Sequence, residues 1–187
     1  MPRLYGSALL AVALCAVACE PPPTEDLLSI TYGTGEFAPP VRVDVACETG
    51  GCDGLEFLEV ELTFEDHDLL PTTAEVEILQ YRVDYFLPAL GTEVTDTEAT
   101  NGEGEPLEVP YYAGTTSQVV PIDETVTFVV RAAGQVQREW VRAQVGTSQI
   151  DGIGTLTLAG YDHRNATVEV SEDFDISFGD FVEGDPQ

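Results

Sequence analysis

Leu58, Val60, Leu62 and Phe64 stand at alternate positions, with Glu59, Glu61 and Thr63 between them. A backbone that turns successive side chains to opposite faces buries the first set and solvates the second only as a β-strand with one covered face. The same period of two returns at Val126, Phe128 and Val130, from Leu156 to Tyr161, and at Val168, Val170, Phe174, Ile176 and Phe178. From residue 27 onward no segment carries a long apolar stripe of period 3.6. Helical bundles and alternating α/β folds are therefore disfavoured, and the chain reads as mainly β.

Two irregularities can be read in the pattern. Val76 and Ile78 hold even positions, whereas Leu79, Tyr81, Val83 and Tyr85 hold odd ones, so the buried face changes phase between 78 and 79 and a β-bulge is expected there. Glu172 intrudes on the apolar face of the last strand, where a bend or a second bulge is expected. Leu27 to Tyr32 and Val41 to Val45 form opening strands, interrupted by Pro39-Pro40, and Tyr161 to Asn165 supplies a hairpin turn. Val136, Trp140 and Ala143 recur at i, i+4 and i+7, which predicts one short helix near 135–144 with Trp140 against one end of the core.

Some seven strands separated by turn signals suggest an antiparallel two-sheet sandwich, with an open barrel as the structural alternative. The segment LTLAGYDHRNATVEVSEDFDISFGDF resembles the closing strand pair of immunoglobulin-like and fibronectin-like domains in bacterial surface lipoproteins. That likeness implies an immunoglobulin-like sandwich and no particular activity, because this architecture hosts unrelated functions.

Charge restricts the partners. The sequence has 34 Asp and Glu against 7 basic residues, a formal charge of -27, yet 43% of it is apolar, too much for a disordered polyacid. Every basic residue is Arg. No basic patch is large enough for a run of phosphates, so nucleic acid is not an expected partner.

The first 18 residues read as a signal peptide: no acid, Arg3 near the start, and an apolar run from Leu9 to Ala18 too short for a membrane span. Ala16-Val17-Ala18-Cys19 resembles the lipobox of bacterial lipoproteins, and also matches an A-x-A site for ordinary signal peptidase. The lipoprotein likeness implies cleavage before Cys19 and acylation of that residue, hence a membrane partner. Glu20 follows, where enteric lipoproteins retained on the inner membrane have Asp, so the resemblance implies the outer membrane of the cell envelope. Residues 19–26 then read as a Pro-rich tether and 27–187 as one domain.

With Cys19 acylated, Cys47 and Cys52 remain for a disulfide across a Gly-Gly turn, worth roughly 2 kcal/mol by loop entropy. Zinc is the competing use of the pair, but two thiolates leave a tetrahedral shell half empty.

Catalytic chemistry is poorly represented. Only His67 and His163 could serve as imidazole bases, and neither accompanies a nucleophile motif, so the expectation is a non-enzymatic binding, adhesion or structural module. An envelope hydrolase is the remote alternative. A calcium-stabilised or glycan-binding module is the other. Asp66 and Asp68, Glu103 and Glu105, and Glu172, Asp173 and Asp175 are the densest groups of hard oxygen ligands for calcium. Tyr111 and Tyr112 offer an aromatic binding surface, although neighbours in a strand face opposite ways and one of them should be core. They follow a long acidic loop, 88–106.

Overall fold

The computed structural model describes residues 23–46, 56–68, 70–87 and 109–181. Eight strands are present among them: β1 (Leu28–Tyr32), β2 (Val41–Asp44), β3 (Phe57–Phe64), β4 (Glu75–Phe86), β5 (Tyr112–Pro121), β6 (Glu124–Arg131), β7 (Ile150–Asp162) and β8 (Thr167–Gly179). One helix, α1 (Gln135–Val145), joins β6 to β7. The strands form a three-stranded sheet, β1-β3-β6, and a five-stranded sheet, β2-β8-β7-β4-β5. The two enclose a single apolar core, in which Leu58, Leu62, Phe64, Ile78, Leu156 and Phe178 are fully buried. The protein is a β-sandwich with one short helix.

Alternation determines what each strand buries. Along β3 every even residue is buried and every odd one is partly exposed, because its sheet has the core on one side and water on the other. In β4 the register against both neighbours shifts between Ile78 and Gln80, so the expected bulge is present and Leu79 is the extra residue. The crowding it causes is taken up across the ladder by Gly160: a Cβ there would lie 1.8 Å from the Glu77 carbonyl oxygen.

Several expectations need correction. One pairing is parallel, β2 with β8, while the other strand pairs are antiparallel. The chain changes sheets between β1 and β2, through a segment containing the cis Pro39–Pro40 peptide. No bulge occurs at Glu172: β8 pairs with β7 without interruption from Thr167 to Phe178. Glu172 keeps the inward register of its partner Leu156 yet is exposed, and it lies beside Tyr32, the last residue of β1. There the Tyr32 hydroxyl donates to the Glu172 carbonyl at 2.9 Å and the Tyr32 ring meets Phe174 edge-on.

The helix occupies the expected span but turns a different face inward. Val136 is 61% exposed and Ala143 is exposed, whereas Gln137 and Val141 are buried, with Trp140 packed partly against the core. Gln137 tolerates burial because its amide is satisfied. Its Oε1 accepts from the Gly134 N–H at 3.0 Å and its Nε2 donates to the carbonyls of Pro110 and Tyr111 at 3.0 and 2.9 Å.

The folded unit also starts earlier than the tether reading implied. Thr24–Leu27 is a 3-10 turn, and Thr24 is buried with its hydroxyl donating to Asp162 at 2.9 Å. Cys19, Cys47 and Cys52, Glu103 and Glu105, and the loop 88–106 lie outside the described residues.

Candidate functional site

The outer face of the five-stranded sheet is where side chains of different chemistry come together. Strand register builds it row by row. Arg82 of β4 stands opposite Ala113 of β5 and Thr157 of β7, and Thr157 opposite Ser171 of β8. In the next row Gln80 faces Thr115 and Ala159, and Ala159 faces Glu169. Beyond it Glu77 faces Val119 and Tyr161. The middle rows are thus floored largely by short side chains, while Tyr111 rises at one end and Tyr161 at the other.

This relief produces a groove of about 630 Å³ lined by Gln80, Arg82, Asp84, Tyr111, Thr157 and Glu169, among others. A second depression of about 420 Å³ shares Gln80, Ala159 and Glu169 with it and extends to Tyr161 and Glu25. Both volumes fall within the roughly 300–1,000 Å³ typical of small-molecule sites.

Arg82 is fixed at the centre. Its Nε donates to Asp84 Oδ1 at 3.0 Å, and its guanidinium carbon lies 4.4 Å from the centre of the Tyr111 ring. The hydrogen bond to Asp84 raises the Arg82 pKa further above its ordinary value. Tyr111 is 56% exposed, while Tyr112 points inward and is tilted against Tyr81 with ring centres 6.1 Å apart. The aromatic pair therefore divides as alternation requires: Tyr111 belongs to the surface and Tyr112 to the core margin.

Four further arginines serve the fold rather than the groove. Arg131 and Arg138 converge on buried Glu56, Arg164 holds Asp162, and Arg42 lies over the Phe181 ring. Sequence reasoning singled out none of Arg82, Gln80, Glu169 or Glu56. The groove depends on cross-strand register, which no local pattern specifies.

The candidate calcium ligands are dispersed. Asp66 and Asp68 lie in the β3–β4 connection with His67, whereas Glu172, Asp173 and Asp175 lie within β8, Glu172 on one face and Asp173 and Asp175 on the other. Asp173 accepts from the Thr155 hydroxyl at 2.7 Å across the ladder. Among the described residues no three His, Cys, Asp or Glu side chains come together as metal ligands. His163 sits in the β7–β8 turn, partly buried.

Searches of protein-family models, curated proteins and solved structures found no match to this chain. The reading of its role therefore rests on the groove and the sequence.

Proposed function

We propose that the protein is a non-enzymatic recognition module, anchored to the outer membrane of a bacterial envelope through an acylated Cys19, that binds its ligand on the outer face of the five-stranded sheet. The observation that carries the binding reading is the groove itself. An exposed aromatic ring, a fixed guanidinium and several neutral hydrogen-bonding groups meet over a floor of small residues drawn from four strands. The immunoglobulin-like assignment is supported by the strand order, with the second strand leaving the first sheet to run parallel to the last.

Binding is tested by immobilising the mature protein and passing envelope extract over it. Tyr111→Ala should lose the retained material while keeping the native melting temperature. Equal retention by the wild type and this variant would remove the outer face from consideration.

Anchoring is tested separately. The mature chain should enter the detergent phase on phase partitioning and carry acyl mass on its N-terminal peptide, whereas Cys19→Ser should move to the aqueous phase. Buried acyl chain contributes about 0.8 kcal/mol per methylene, so a lipidated protein cannot partition like a free one. A mature protein with an unmodified Cys19 thiol would defeat the anchor.

A further inference from the structure

Taking the outer face as the binding surface, we infer that its ligand is a neutral oligosaccharide lying along the groove between Tyr111 and Tyr161. The lining is chemically mixed in a way that suits hydroxyl groups. Arg82 offers donors only, Asp84 and Glu169 offer acceptors, and Gln80, Thr115 and Thr157 offer both. A sugar hydroxyl donates and accepts at once, so it uses such a surface fully, whereas a phosphate or an ammonium group uses half of it. The exposed rings at the two ends supply flat apolar platforms for the C–H faces of sugar rings.

Charge argues for neutrality. An anionic ligand would approach Asp84 and Glu169, and Glu25 beyond them, on a protein of formal charge -27. A cationic ligand would meet Arg82, which stands in the middle of the surface and is fixed there by Asp84 and the Tyr111 ring.

Length argues for an oligomer rather than a single ring. Tyr111 precedes the Val83–Tyr112 pair, which places it in the row of Thr155, and Tyr161 is six residues further along β7. At about 3.3 Å per residue the two tyrosines are separated by roughly 20 Å along the strand direction.

The experiment is a glycan array carrying neutral, acidic and amino-sugar oligosaccharides, probed with the full mature protein in detergent. Hits are then titrated calorimetrically against wild type, Tyr111→Ala, Tyr161→Ala and Glu169→Gln. At least one neutral oligosaccharide should bind. Each tyrosine variant should weaken it by about 3- to 10-fold, the range of a single aromatic contact, with the melting temperature unchanged. Glu169→Gln keeps an acceptor and should retain most of the affinity.

No neutral hit, or hits confined to acidic or amino sugars, would overturn the inference. So would a neutral hit unaffected by both tyrosine variants. Failure here with Tyr111-dependent retention of envelope material would leave the recognition module standing and remove only the glycan. Failure of both would remove the module as well.

Discussion

Glu56→Ala is expected to lower the unfolding free energy by about 3–5 kcal/mol, the range for breaking a buried ion pair by removing one partner. Glu56 is 3% exposed and its carboxylate bridges two strand-distant cations. Arg131 Nε donates to Oε1 at 2.8 Å and Arg138 Nη1 to Oε2 at 3.1 Å. The two arginines do not contribute equally. The Arg138 side chain is only 12% exposed and would be left charged in a poorly solvated place, whereas that of Arg131 is 40% exposed and can rehydrate.

Glu56 therefore joins the start of β3, the end of β6 and the first turn of α1, so its loss loosens three elements at once. Thermal unfolding should show it as a fall in Tm on the order of 10 °C, at about 2–4 °C per kcal/mol for a domain of this size. A double-mutant cycle with Arg138→Ala should recover part of the loss, since the second change removes the stranded cation. A Glu56→Ala protein that melts with the wild type would show that the bridge does not hold these elements together.

Those two residues mark where the sequence stops being informative. Glu56 reads as one more acid among 34, and nothing local shows that arginines 75 and 82 positions later will bury it. Gln137 is a parallel case. Its polarity places it on the outside of the helix, and the carbonyls of Pro110 and Tyr111 that make its burial tolerable arrive from another part of the chain. Helix position was readable from spacing, but its rotation was set by tertiary hydrogen bonds.

Where a strand has one wet and one dry face, alternation was sufficient. It located β3, β6 and the phase change at the β4 bulge, because each of those is enforced by burial. It missed β5, whose sequence YAGTTSQVVP lies at the edge of the larger sheet and buries only one residue fully. The site suffers from the same limit. Tyr111 could be suspected as one of an aromatic pair, but Arg82, Gln80, Thr157 and Glu169 become neighbours only through the pairing of β5, β4, β7 and β8.

Asp162 should make the domain acid-sensitive through the loss of its buried charge. Its side chain is fully buried in the β7–β8 turn. Burial alone would raise its pKa, and is the largest single influence. The opposing hydrogen bonds together outweigh it: from the N–H of Ala166, the Thr24 hydroxyl, and the N–H and guanidinium of Arg164. The net result is a carboxyl lowered from 3.8 to about 2. The unfolded chain then takes up this proton before the folded one. The stabilisation is complete above pH ~4 and drains away as pH falls towards about 2. At 1.36 kcal/mol per unit this amounts to about 2 kcal/mol.

Total stability will not display that loss cleanly, because acidification first relieves the self-repulsion of a chain with formal charge -27. The difference between wild type and Asp162→Asn isolates it. Chemical denaturation of both from pH 6 to pH 2 should give a gap that is constant at the upper end and closes by about 2 kcal/mol below pH 4. A gap independent of pH would mean that the turn is held by the shape of residue 162 and not by its charge. With an amide NH2 in place of Oδ2, the same variant deprives the Thr24 hydroxyl and Arg164 Nε of their common acceptor. It should therefore expose the 3-10 turn at Thr24–Leu27 to proteolysis before the sandwich itself unfolds, which limited digestion near neutral pH would reveal.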